Sequence, residues 1–241
     1  MIVLEPASED QRDLWYVLFE LAQENRHWTL IGARMVELHA ARARRTIGRA
    51  SRDADALANA RRRPNPVRAI AQILESKEFR VQPPSMFGVA HEYRRGPIEI
   101  DLLAPEGLGS RGEEARITSA PYHTIEVPGG TQALSRTEWV EVEVSGRRGT
   151  VPCPDLIGAI LIKARAVDVV DDRPDDQRRD LALLLSLVED PRPLRDTLSR
   201  EERSWLRKRE ELDDPDALFW RELGPDLAQR GITAYRYLTT A

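Results

Sequence analysis

Apolar positions recur at helical spacing over residues 10–24, where Leu14, Leu18 and Leu21 line one face and Trp15 and Phe19 widen it. The segment therefore predicts an amphipathic helix that packs across a sheet. The apolar run 28–31 stops at Gly32, and Met35, Leu38 and His39 then return at helical spacing, which predicts strand, tight turn and helix. Residues 53–57 alternate acidic and apolar side chains, a strand with Asp53 and Asp55 on one face. A loop over 61–66 leads to a helix over 67–76 with Ile70, Ile73 and Leu74 inward. From 79 to 151 the texture is strand-like, with runs at 87–93, 98–103, 124–127 and 139–144 separated by Gly and Pro turns. These runs predict an antiparallel-leaning part of the sheet. Beyond Pro154 helices are expected over 156–169, 176–188, 201–212 and 226–237, with the acidic stretch 168–176 as a loop. The chain reads as α/β (α+β): a twisted mixed sheet with helices over residues 1–152, then a helical C-terminal region over 153–241.

With 241 residues, 41% of them hydrophobic, the chain is long enough to bury a core. Its 36 basic and 40 acidic residues nearly cancel to a net charge of −4, so no global field points to nucleic acid or a membrane, and any such contact must come from local patches. The longest apolar stretch, 156–162, is cut by Lys163 and falls far short of the roughly 20 residues that span a bilayer. No basic-then-apolar leader is visible, so a cytoplasmic location and no membrane partner are expected. Cys153, the single cysteine, has no neighbouring ligand pattern and reads as a small buried residue.

Asp53 and Asp55 lie two apart on one strand, and Asp101 ends the alternating segment Ile98, Glu99, Ile100 on another. Three carboxylates on neighbouring strands repel one another in a cleft unless a divalent cation neutralises them, and Mg2+ (or Mn2+) prefers carboxylate oxygens together with substrate phosphates. Gly32 and Ala33 at the start of a predicted helix offer backbone N–H groups to a phosphate, where the helix dipole favours negative charge. Asp-x-Asp pairs are common on surfaces; the ordered sequence of glycine turn, Asp-x-Asp strand and later strand aspartate is the informative feature.

The stretches 30–33, 49–55 and 98–101 resemble the DNA polymerase β-like nucleotidyltransferase superfamily, especially its AbiEii/AbiGii-type toxin branch. Arg49, Ser51, Asp53 and Asp55 match the Arg-x-Thr/Ser-x-Asp-x-Asp element of that branch. Residues 154–165 are similar to its helix that carries a lysine to the nucleotide phosphates, here Lys163. Ala33 stands where the family has Gly or Ser, and Arg179-Asp180 stands where it often has Lys-Asp. The resemblance spans roughly residues 28–188. It implies a metal-dependent enzyme that moves a nucleoside monophosphate from a nucleoside triphosphate to a hydroxyl with release of pyrophosphate. Asp53, Asp55 and Asp101 would act in catalysis and hold the metal, while Gly32, Ala33, Ser51 and Lys163 would bind the nucleotide. It also implies tRNA or another RNA as acceptor, and a cognate antitoxin as partner. Alternatives are a small-molecule, antibiotic-type nucleotidyltransferase and a non-catalytic binding or antitoxin module on the same fold.

The remaining candidates divide between chemistry and architecture. Read without the resemblance, Lys163 in its apolar helix is a snorkelling lysine. Arg165 and Arg49 suit phosphate, yet either could pair with an acid of the cluster. Arg49, Arg52, Arg61 and Arg62 flank the Asp-x-Asp strand and are candidates for acceptor phosphate contacts, although charge runs are usually solvated faces. His39 on an apolar helix face reads as a satisfied buried imidazole, and His91 and His123 have no metal-ligand spacing. Glu99 either shares the cleft of Asp101 or is an ordinary strand acid.

Overall fold

The first helix forms where the apolar stripe predicts it, as α1 (Glu9–Glu24), with β1 (Ile2–Leu4) ahead of it. The Ser8 side chain caps its start by accepting from the Gln11 N–H, and Glu9 and Asp10 in the first turn complement the helix dipole. The computed structural model describes residues 1–45, 53–62, 64–85, 88–109, 112–167 and 174–240. β2 (Trp28–Ile31) runs directly into α2 (Gly32–Arg42) with no intervening loop. β3 (Asp53–Ala58) and α3 (Pro66–Ser76) follow, the latter capped by Asn65 with Pro66 in its first turn. Then come β4 (Arg80–Val81), β5 (Glu92–Arg95), β6 (Ile98–Pro105), α4 (Gly112–Ala115), β7 (Glu126–Val127) and α5 (Gly130–Ser135).

The larger sheet has the order β2-β3-β6-β5-β4, with β7 pairing the end of β6. It is mixed: β3 runs parallel to β6, while β2–β3, β5–β6 and β4–β5 are antiparallel. The expected strand over 87–93 is corrected to Glu92–Arg95; Val89 makes only an isolated bridge to His123. The run 139–144 lies within β8 (Thr137–Val144), which pairs with β9 (Arg147–Pro154) and, in parallel, with β1 in a separate sheet of order β1-β8-β9. The expected single antiparallel-leaning sheet is therefore two sheets. Gly149 of β9 lets α1 sit close, because a Cβ there would collide with the Phe19 ring.

After Asp155, which caps it, α6 runs Leu156–Ala166 and stops short of the expected 169. The later helices are α7 (Pro174–Ser186), α8 (Pro191–Thr197), α9 (Arg200–Arg207), α10 (Leu218–Leu223) and α11 (Pro225–Thr239). The expected helix over 201–212 is α9 followed by a separate 3-10 turn, Glu210–Asp213. One hydrophobic cluster runs from Trp15 and Phe19 through Ala56 and Ile100 to Ile160, Leu184, Trp220 and Leu238. Sheet and C-terminal helices thus share a core, and α2 packs on both α6 and α7. Among the described residues no helix is long and apolar enough to cross a membrane.

Candidate active site

Burial alternates along β3 and β6: Ala54, Ala56, Ile100 and Leu102 are buried, whereas Asp53, Asp55, Glu99 and Asp101 are half-buried. Period-two alternation puts the four acids on one face of the sheet. The parallel pairing of β3 and β6 then sets Asp53 opposite Glu99 and Asp55 opposite Asp101. On the other side of β6, β5 places Glu92 opposite Asp101 and Arg94 opposite Glu99. Two rows result across the strands. One reads Ile31, Asp55, Asp101, Glu92; the other reads Asp53, Glu99, Arg94, Arg80. This register places the three aspartates on one face of the sheet.

The start of α2 lies over the first row. Gly32 adopts φ +67, in the left-handed region that favours glycine, and a Cβ there would collide with the Asp55 carboxylate. Ile31 at the N-cap gives no side-chain hydrogen bond to α2. The Asp55 carboxylate therefore lies against the positive end of the helix dipole.

Asp101 is the electrostatically strained member. Burial, followed by the charges of Asp55, Glu99, Glu92 and Asp53, pushes its carboxyl up to about 8. Its buried Oδ1 has no hydrogen-bond partner among the described residues. A carboxylate held off its ordinary range beside a like charge, with an orphaned oxygen, is the pattern of a site completed by something else. Carboxylate oxygens are the donors that Mg2+ or Mn2+ takes, so the chemistry of the donor set, though not its present spacing, matches such an ion. The carboxylates share a face without converging: among the described residues no group of three or more His, Cys, Asp or Glu side chains stands as a metal site.

The structure separates the other candidates. Lys163 is 4% exposed, and its Nζ lies 2.8 Å from Asp180 Oδ2 and donates to Gln177 Oε1 at 2.7 Å. It is the buried cross-link between α6 and α7 and does not snorkel to solvent. Arg165 stacks on Trp205, its guanidinium 5.3 Å from the ring centroid. Arg61 donates to the carbonyls of Glu106 at 2.6 Å and Gly107 at 3.4 Å, pinning the turn after β6. Arg42 pairs with Glu138 at 2.7 Å. Arg62 is exposed. Arg49, Ser51 and Arg52 lie outside the described residues. His39 is buried with Nε2 3.0 Å from the Pro154 carbonyl, and burial lowers its pKa to about 4, as the structural interpretation of that imidazole expects.

Glu92 and Arg94 were not among the candidates, although the sequence carries the signal. Gly96 and Pro97 make a two-residue turn between β5 and β6, and counting back from it pairs 95 with 98, 94 with 99 and 92 with 101. Arg94 bridges two acids of the face, with Nε 2.7 Å from Glu99 Oε2 and Nη2 3.1 Å from Glu92 Oε2.

No protein-family model and no curated protein matches the sequence. Among solved structures, the chain is similar to one described as the crystal structure of an antigenic nucleotidyltransferase-like protein from Paracoccidioides brasiliensis. The two are 18% identical with a TM-score of 0.49, over 86% of this chain and 92% of that one.

Proposed function

We propose that the chain is a metal-dependent nucleotidyltransferase. The observation that carries this reading is the β3–β6 register, which sets Asp55 directly beside Asp101 with the start of α2 against Asp55. A phosphate approaching the N–H groups of α2 must share that space with a carboxylate, an arrangement that is repulsive without an intervening cation. A bound Mg2+ or Mn2+ supplies charge neutralisation for the triphosphate and for the departing pyrophosphate. Asp53, Asp55 and Asp101 would hold it. Gly32 and Ala33 orient the triphosphate through the backbone. Asp101, as the carboxylate, would accept the proton of the acceptor hydroxyl or orient it. The hydroxyl oxygen bonds to the α-phosphorus, the bond from that phosphorus to pyrophosphate breaks, and the nucleoside monophosphate moves to the acceptor. Lys163 serves this reaction by joining α6 to α7 through Asp180, and reaches phosphate only if that ion pair opens.

The family resemblance supports a toxin-type enzyme acting on the end of a tRNA and restrained by an antitoxin protein. Arg61 is committed to contacts within the chain, which thins the basic patch and favours a second reading in which the acceptor is a small hydroxylated molecule. Label transfer from each of four α-labelled nucleoside triphosphates, with Mg2+ or Mn2+, onto total RNA and a panel of small hydroxylated acceptors separates the two. Incorporation that the Asp53→Asn/Asp55→Asn double variant loses supports the enzyme and names donor and acceptor. No incorporation by the folded protein would turn the reading to a non-catalytic module on this fold.

A further inference from the structure

The C-terminal helices reach over the acid face, and an arginine at that junction has no acid to answer it. Period-two alternation puts Leu57 on the face of Asp55, and Leu103 and Pro105 on the face of Asp101. Those three are buried, whereas Asp55 and Asp101 are half-buried, so the face is open at the aspartates and covered two residues further along. The start of α5 is part of that cover: a Cβ on Gly130 would lie 2.9 Å from the Pro105 Cα and 3.3 Å from the Leu57 methyl groups. Gly129, immediately before it, meets α6, where a Cβ would lie 3.2 Å from Arg165 Cγ and 3.5 Å from the Ile162 Cα. Two residues along a strand cover about 7 Å, so Arg165 is rooted at the rim of the acid face and not on a remote surface.

Packing alone fixes the guanidinium of Arg165. Its stem lies on Gly129 and its Cζ stands 5.3 Å from the centre of the Trp205 ring. Its buried Nε has no hydrogen-bond partner, and no carboxylate among the described residues pairs with the group. The other cations joining these helices are answered: Lys163 by Asp180, Arg136 by Glu202, Arg178 by Glu211 and Arg179 by Glu222. Ordering an arginine costs side-chain entropy and an unpaired buried N–H costs more, so stacking on one ring offsets the loss only in part. We propose that Arg165 is a phosphoryl-binding residue, which Trp205 and Gly129 hold ready for the phosphate oxygens of a substrate lying on the acid face. A planar fork matches phosphate oxygens in pairs, which an ammonium point charge does less well. This rests on the reading of the chain as a nucleotidyltransferase and adds to it an anchor away from the reacting centre. The same chemistry has two sources there, the phosphates of the nucleoside triphosphate and the phosphodiester backbone of an RNA acceptor.

The test titrates the full chain, with Mg2+ present, with inorganic tripolyphosphate and separately with a short single-stranded RNA lacking a terminal phosphate. Calorimetry gives each Kd, tryptophan emission reports the neighbourhood of Arg165, and Trp205→Phe identifies the part of that emission that belongs to Trp205. Circular dichroism confirms the fold of each variant. The wild type is expected to bind one of the probes with a change in the Trp205 emission. Arg165→Met, which keeps an apolar stem on Gly129, is expected to weaken that binding roughly tenfold, the scale of one hydrogen bond to a charged group, and Arg165→Lys to weaken it less. Arg200→Met, which removes the same charge from an exposed position on α9, is expected to match the wild type. A loss confined to tripolyphosphate names the nucleotide as the source, and a loss confined to RNA names the acceptor. Wild-type affinity for both probes in Arg165→Met, an equal loss in Arg200→Met, or a wild type that binds neither probe overturns the inference. The two claims fail separately. Tripolyphosphate binding that Asp53→Asn/Asp55→Asn loses and Arg165→Met keeps, with RNA binding also unchanged, would sink the role of Arg165 alone. Binding that depends on Arg165, in a folded chain that incorporates no nucleotide onto any acceptor, would keep the phosphoryl site and sink the nucleotidyltransferase reading.

Discussion

Gly32 and His39 show how much single positions carry here. Gly32 combines a positive φ with an approach to Asp55 that leaves no room for a methyl group. Gly32→Ala should cost about 1–2 kcal/mol from backbone strain alone, with more from moving the Asp55 carboxylate. Urea unfolding measures it, and a loss below about 0.5 kcal/mol would mean that the turn is not as tight as described. His39 sets a pH dependence. Its folded pKa of about 4 lies below the ordinary 6.5, so the unfolded chain takes up a proton on this residue that the folded chain refuses. Its contribution is complete above pH 6.5 and is lost as pH falls from 6.5 towards 4, about 3 kcal/mol across the window. His39→Gln keeps a donor for the Pro154 carbonyl without titrating. It should flatten the stability profile between pH 7 and 4.5, and unchanged acid sensitivity would remove His39 from the account.

Between elements, the contact to probe is the one joining α6 and α7. Lys163 and Asp180 are almost wholly enclosed and 2.8 Å apart. Removing one partner of such a pair strands a charge and typically costs about 3–5 kcal/mol, whereas removing both costs less. Lys163→Met should therefore destabilise the chain more than Lys163→Met/Asp180→Leu does. A double-mutant cycle in urea reads the difference, and additive losses would mean that the pair is not coupled. The same elements show how far patterning reaches. The stripes of α1 and α3 and the alternation in β3 and β6 predict those elements to within a few residues, because each buries one continuous apolar face. β9 escapes the same reading because Gly149, Pro152 and Pro154 interrupt its pattern, and its burial is supplied by α1 and β8. β1 is only Ile2–Leu4, too short for any period to declare itself. The partner of Lys163 was not legible either, since a contact between two helices leaves no local signature in the chain.

Ligand binding tests the fold and the site together. A ligand that binds only the folded state stabilises it by about 2.7 kcal/mol at a hundredfold excess over its Kd. For a chain of this length that corresponds to a rise in Tm of roughly 5–10 °C. Mg2+ or Mn2+ with a nucleoside triphosphate should produce such a rise in the wild type and a much smaller one in Asp101→Asn. A rise of equal size in both would remove Asp101 from the site.

The alternation of 53–57 and 98–101 by itself determined that Asp53 and Asp55 share a face and that Glu99 and Asp101 share another, because side chains on a strand must point to opposite sides in turn. The step from Ile31 to Gly32 likewise determined where a strand must give way to a helix. Tertiary structure decided that the two acidic faces are the same face: only the parallel pairing of β3 with β6 in a fixed register sets Asp55 beside Asp101. It also decided that Lys163 is answered by Asp180 and that Arg94 bridges Glu92 and Glu99. Local sequence dictates direction along an element, while the distance between charges on different elements depends on how the buried faces pack, which no short stretch of sequence contains.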